Sequence, residues 1–195
     1  MVCNHKVEIR LFFSVAKLVY PKFGGNHMSR YETAPYKILE KDGKFEIRKY
    51  ETFSTAAVSE SSVAATHGFN KVFSYISGKN ETGERIPMTT PVLNDMKEGN
   101  KTTEFVMPSA YADKLPPTPS DPLIEIRRYE SHTVGSFVFS GSISDDKIKA
   151  NENKLLEWLK QKERQPTGSF RLARYNSPFT PPAFRRNEIL VDLEL

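Results

Sequence analysis

Glu46-Ile47-Arg48-Lys49-Tyr50-Glu51 returns 79 residues later as Glu125-Ile126-Arg127-Arg128-Tyr129-Glu130, with one Lys-to-Arg change between the copies. Each copy lies in a stretch that alternates like a β-strand, Phe45 to Val58 and Ile124 to Phe139. A helix-like segment follows each stretch, and more strand-like sequence follows the helix. The chain therefore carries one supersecondary unit twice. Such a unit has one apolar sheet face to bury, so the copies are expected to pack face to face about a pseudo-two-fold axis. The groove between the halves is the first place to look for a ligand.

Outward from the first copy, a strand is expected at Tyr36–Leu39, a hairpin turn at Lys41-Asp42-Gly43-Lys44, and one long strand from Phe45 to Ser59. Ser61-Ser62 offer an N-cap for a helix to Ile76, whose apolar face is Val63, Phe69, Val72, Phe73 and Ile76; Gly78 ends it. Strands follow around Ile86–Asn94 and Thr102–Pro108. Pro116-Pro117-Thr118-Pro119-Ser120-Asp121-Pro122 reads as a stiff connector. The second half repeats the order: a long strand to Ser140, then a helix from Ser144 to about Lys162 with Ile148, Leu155, Leu156 and Leu159 as its stripe. Strands at Ser169–Tyr175 and Glu188–Leu193 complete it. The fold class is α+β: a βαββ unit used twice, giving a mainly antiparallel sheet or open barrel with two helices.

Length and composition agree with one domain plus an N-terminal extension. In 195 residues, 38% are hydrophobic and 27% charged, an ordinary balance for a globular chain with no membrane span. The single cysteine, Cys3, excludes an intrachain disulfide and favours a reducing, cytoplasmic compartment. Lys6, Arg10, Lys17, Lys22 and Arg30 against Glu8 account for the whole net charge of +4, so residues 31–195 are formally neutral. That distribution lacks the electrostatic footprint of a nucleic-acid binder. Residues 9–20 place Ile9, Phe12, Phe13, Ala16 and Val19 at helical spacing opposite Arg10 and Lys17. Three readings compete for this leader of about 28 residues: an organelle-targeting peptide, a membrane-surface contact through residues 9–20, or an extra docked helix.

The chain holds no phosphate-cradling glycine loop, nucleophile elbow or His-Glu-x-x-His helix. His67, on the first helix one turn before Lys71, can ligate a haem iron or only make a polar contact. In Ile86-Pro87-Met88-Thr89-Thr90-Pro91-Val92 the prolines point to an edge, with Met88 either packed there or facing a ligand groove. Arg174-Tyr175-Asn176-Ser177-Pro178-Phe179-Thr180-Pro181-Pro182-Ala183-Phe184-Arg185-Arg186 reads as a stiff loop with aromatics between cations, suited to a flat acid-bearing ligand. Equally, Tyr175 and Phe179 can pack the barrel end, and Arg185-Arg186-Asn187-Glu188 can clamp the last strand.

These motifs in order, together with Phe73-Ser74-Tyr75-Ile76-Ser77-Gly78-Lys79-Asn80 and Met88-Thr89-Thr90-Pro91-Val92, resemble the SOUL haem-binding protein family over about residues 31–195. The resemblance implies a distorted antiparallel β-barrel with two helices. It also implies a shallow tetrapyrrole groove between the first helix and the Tyr175–Arg185 loop, with no agreed catalytic reaction. The cofactor would be haem or another tetrapyrrole held non-covalently by His67, Lys71, Met88, Arg174, Tyr175, Phe179 and Arg185, with His67 as the iron ligand. In one branch of the family a strand His has been proposed as that ligand, and Lys49 occupies its place here. Two further readings stand beside a tetrapyrrole binder: a small-molecule hydrolase on a related duplicated fold, and a module that docks a protein partner.

Overall fold

The computed structural model describes residues 31–60, 65–95 and 101–194. Its strands in the first half are β1 (Glu32–Thr33), β2 (Tyr36–Asp42), β3 (Phe45–Tyr50), β4 (Phe53–Glu60), β5 (Thr89–Thr90), β6 (Val92–Asp95) and β7 (Lys101–Val106). Those in the second half are β8 (Glu125–Tyr129), β9 (His132–Phe139), β10 (Pro166–Arg174) and β11 (Asn187–Leu193). The helices are α1 (Ala65–Ile76) and α2 (Asp145–Gln161). The expected N-cap at Ser61-Ser62 lies outside the described residues, as does the leader.

Each expected long strand is interrupted, the first at Glu51-Thr52 and the second at Glu130-Ser131. The interruptions fall at one level, because β3 pairs antiparallel with β9 and β4 with β8. Glu46 faces Ser136 and Ala57 faces Glu125, and the 79-residue offset maps one pair onto the other. The duplicated segments thus lie against each other's halves in a single register. Nine strands form one antiparallel sheet in the order β2-β3-β9-β11-β10-β6-β7-β4-β8, while β1 and β5 make a short parallel pair. The β2–β3 hairpin turns through Gly43-Lys44, with Gly43 at φ +58°, where an L side chain is strained.

Ile86–Met88 is not a strand. Pro87 and Pro91 bring no N–H to a ladder, and the Ile86 amide instead caps α1 by donating to the Ile76 carbonyl at 2.8 Å. Gly78, at φ +109°, turns the chain out of that helix. α2 is capped by Ser144, whose hydroxyl accepts from the Lys147 amide, and it carries Asp145 and Asp146 in its first turn and Lys160 in its last.

Both helices pack on one side of their sheet segments. α2 buries Ile148, Leu155, Trp158 and Leu159 against Ile47, Phe137, Ile189 and Val191. α1 buries Val72, Tyr75 and Ile76 against Ala56, Val58, Val92 and Phe105. The opposite sheet faces meet in an interior of Tyr50, Phe53, Leu93, Val106, Val134, Ala173 and Leu190. Two members of the expected helix stripes are displaced: Phe73 and Leu156 are 48% and 43% exposed. Tyr75 and Trp158 take the core positions instead, because each satisfies its polar tip. The Tyr75 hydroxyl donates to the Pro117 carbonyl at 2.7 Å and the Trp158 indole to Asp42 Oδ2 at 3.1 Å.

Gly135 lies under α2, where a Cβ would come within 3.0 Å of Leu159 Cδ2. Leu159→Ala should lower unfolding stability in urea by about 3 kcal/mol. Gly135→Ala should cost about 1 kcal/mol in the parent and clearly less in the Leu159→Ala background, the coupling expected of residues in contact.

Candidate functional site

The repeated Glu-x-Arg is where the halves are tied together. Arg48 on β3 is fully buried, and its guanidinium grips Glu188 on β11 in a two-pronged contact of 2.7 Å and 3.1 Å. Its Nε donates to Glu46 Oε2 at 2.8 Å. Glu188 also accepts from Arg186 Nε at 3.0 Å and from the Tyr175 hydroxyl at 2.9 Å. In the second copy, Arg127 on β8 donates to Glu104 on β7 at 3.0 Å and through Nε to Glu125 at 2.8 Å. Glu104 also accepts from the Tyr129 and Thr55 hydroxyls. Each copy's arginine thus holds a buried carboxylate of the other half.

The carboxylates respond as geometry requires. Burial pushes Glu188 up, but the Arg48 and Arg186 guanidiniums outweigh it and leave its pKa below the ordinary 4.5. Glu46 is lowered likewise, burial being outweighed by Lys41 and Arg48. Burial raises Tyr175 well above 10.0, reinforced by the Glu188 charge, so its hydroxyl stays a donor.

The residues expected to hold a ligand separate into three places. His67 and Phe73 are exposed on α1, and Lys71 is half-buried there. Met88 is half-buried against the α1 cluster. Arg174 stands opposite Val92, a member of that cluster, so its side chain lies on the same sheet face. Tyr175 instead turns into the interior clamp, with Arg186 over its ring at 4.4 Å. Arg185 braces its own loop, donating to the Thr180 and Pro178 carbonyls at 2.7 Å each. Phe179 is 96% exposed. Among the described residues, no hydrogen bond, ion pair or ring contact joins α1 to this loop. Lys49, in the ladder between Lys37 and Thr133, supplies no imidazole.

Arg174 is the unusual group on the outer sheet face, with Val92 of the α1 cluster opposite it and Leu172 of the α2 cluster on the same face of β10. Its Nε is buried with no hydrogen-bond partner, and desolvation lowers its pKa. No carboxylate pairs with it among the described residues. Sequence reading picked it out only as one cation in an aromatic loop; its isolation depends on the β6–β10 register. No helix among the described residues is long and apolar enough to cross a membrane.

Solved structures share this α+β architecture. The EcmrR C-terminal domain aligns at TM-score 0.56 and 12% identity over 82% of this chain and 98% of that one. A hydrolase from Listeria innocua aligns at TM-score 0.52 and 12% identity over 80% and 94%. At such identities the likeness defines the fold alone. The SOUL heme-binding protein family model matches residues 31–192, and the chain belongs to that family. It is 29% identical to heme-binding protein 1 of Bos taurus over 81% of this chain and 90% of the relative. It is 31% identical to the Xenopus laevis form over 77% and 84%, and to heme-binding protein 2 of Mus musculus over 75% and 77%.

Removing one partner of the buried clamp leaves the other charge stranded, so Arg48→Met should cost about 3–5 kcal/mol in chemical denaturation. Because the folded pKa of Glu188 lies below 4.5, its contribution is complete above that value and is lost as pH falls through the lowered one. Glu188→Gln should therefore be less stable at neutral pH, and its stability should fall less steeply than the parent's between about pH 5 and about pH 3.

Proposed function

We propose that the protein binds haem or a related tetrapyrrole non-covalently in a shallow apolar groove on the α1 face, as a carrier, buffer or sensor without catalysis. Arg174 carries this reading. A desolvated guanidinium with no counter-charge is costly, and a ligand carboxylate beside it removes the cost. A tetrapyrrole propionate is such a group. The neighbouring surface suits the rest of a flat macrocycle: the Phe69 and Phe73 rings are stacked at 6.0 Å with Phe73 exposed, and Met88 adjoins the same cluster. The exposed His67 imidazole, one turn before Lys71, is the candidate iron ligand, and Phe179 and Arg185 would close the groove from the loop. Tyr175 fits the ligand less well than the clamp, since its hydroxyl is committed to Glu188. Haem, when bound, would supply the ligand's absorption and its iron; this chain supplies apolar contact, one anchoring cation and an imidazole. The names of the heme-binding relatives support the same ligand class.

The architecture around the groove follows from the repeat. Only two residues separate β3 from β4, and two separate β8 from β9. Treating each pair as one strand, we infer that the order returns on itself through β11, β10, β6 and β7 as a distorted barrel of two βαββ units. Residues 31–195 form the ligand-binding domain in this reading. Residues 1–30 are a leader that touches a membrane surface in a cytoplasmic protein or, alternatively, addresses the protein to an organelle.

Titration with haemin and with protoporphyrin should give saturable changes in the Soret band at micromolar ligand; a flat titration overturns the proposal. Arg174→Met should weaken haemin binding about tenfold, the loss of one charge-assisted contact. His67→Ala should alter the haemin spectrum, and an unchanged spectrum removes His67 from the iron.

A further inference from the structure

The loop between β10 and β11 displays aromatic surface that the fold does not bury. Phe179 and Phe184 are 96% and 78% exposed. From Asn176 to Phe184 the sequence Asn-Ser-Pro-Phe-Thr-Pro-Pro-Ala-Phe holds no charged side chain, and Arg185-Arg186 follow directly. No Asp or Glu occurs anywhere from Arg164 to Asn187, a stretch that carries five arginines. Arg186 is spent on Glu188, but Arg185 has no carboxylate partner among the described residues, and its bonds to carbonyls leave its charge uncompensated. An uncharged aromatic tip is thus backed by a cation.

The backbone of the tip is largely closed to outside hydrogen bonding. Pro178, Pro181 and Pro182 bring no N–H. The Phe179 amide donates to Ser177 Oγ at 3.3 Å, and the Thr180 and Phe184 amides donate to the Ser177 and Pro181 carbonyls at 3.0 Å each. The Pro178 and Thr180 carbonyls accept from the Arg185 guanidinium, and the Pro182 carbonyl accepts from the Gly141 amide at 2.9 Å. Internal satisfaction of this kind is what a lipid environment demands, because it offers no water to an unpaired group. A protein partner is a poorer match. Two Phe rings bury about 400 Å² at most, roughly half of what one side of a stable protein interface needs, whereas insertion into lipid needs no complementary surface.

The N-terminal end of the described chain lies close to the root of this loop. Ala34 and Tyr36 pack into the same cluster as Tyr175, the residue with which the loop begins. Residues 1–30, with their net charge of +4, therefore join the domain on that side. We propose that the Asn176–Phe184 tip docks on an anionic lipid surface. Phe179 and Phe184 enter at headgroup level, and Arg185, with the basic leader nearby, meets the lipid phosphates. This extends the membrane contact read for residues 9–20 to the folded domain and does not require it. Phe179 can serve both the lipid and the tetrapyrrole groove, because a groove that the loop borders then opens at the lipid.

The full chain should be sedimented with vesicles of phosphatidylcholine alone and with vesicles containing about 30% phosphatidylserine. Binding to the anionic vesicles should be at least about tenfold tighter and should weaken as salt rises. Phe184→Ser should lower it about tenfold, and Phe179→Ser combined with Phe184→Ser further still, the loss expected when an inserted ring is removed. Both rings are exposed, so these substitutions leave the core untouched. Phe184→Trp gives a direct reading: its emission should shift to the blue when anionic vesicles are added, whereas Trp158 of the parent, buried in the core, should not respond. Phe12→Ser combined with Phe13→Ser separates the leader from the loop. Loss of binding in the leader variant with none in the loop variants overturns the proposal and leaves the leader's membrane contact standing. Absence of the blue shift, or equal binding to neutral vesicles, overturns it as well.

Discussion

The bridge between Arg48 and Glu188 is the constraint on which the rest depends. Both side chains are fully buried, so neither is tolerable without the other. The carboxylate is saturated by Arg48, Arg186 and Tyr175, and the guanidinium by Glu188 and Glu46, a degree of satisfaction that offsets desolvation. The bridge joins β3 of the first half to β11 of the second, strands that do not pair with each other. A slip of one residue in either ladder would turn one partner to the other face and leave the remaining charge in an apolar interior. Register is thus fixed from within, and with it the position of every residue on the outer faces.

That interior leaves little room for a large ligand. The clamps, the Tyr36 ring under Arg48 at 4.5 Å and the aromatic cluster around Phe53 fill most of the space between the halves. The groove expected first from the duplicated sequence is therefore reduced to a cavity of about 20 Å³, room for little more than a water. A macrocycle would have to be met on an outer face, where α1 exposes Phe73 and where Arg174, opposite Val92, has no counter-charge among the described residues.

How much of this was legible depended on the range of the interaction concerned. The strands and helices were readable because alternation, helical spacing, Ser144 and Gly78 act locally. The interruptions at Glu51-Thr52 and Glu130-Ser131 were not, since the repeat continues through them without proline or glycine. Tyr75 and Trp158 escaped the apolar stripes because their burial depends on acceptors far along the chain, the Pro117 carbonyl and Asp42. Within the candidate site, His67 and Lys71 were placed correctly on one helix by sequence spacing alone. Tyr175 was assigned with Arg174, its neighbour, yet adjacent strand residues face opposite sides. One points to the clamp and the other to the outer sheet face, opposite Val92.

Duplication also explains why the two clamps are unequal. Arg48 and Glu188 are sealed, whereas the Arg127 side chain remains 31% exposed and that of Glu125 65% exposed. The same hexapeptide therefore performs the same bridging task in two dielectric settings, and solvent screening weakens the second copy's contribution. The interior is more firmly held at its Glu188 end than at its Glu104 end. Conserving the motif in both halves keeps the ladders in register, and the departures from symmetry around it leave Arg171 and Arg174, on opposite faces of one strand, with donors that the fold itself does not use.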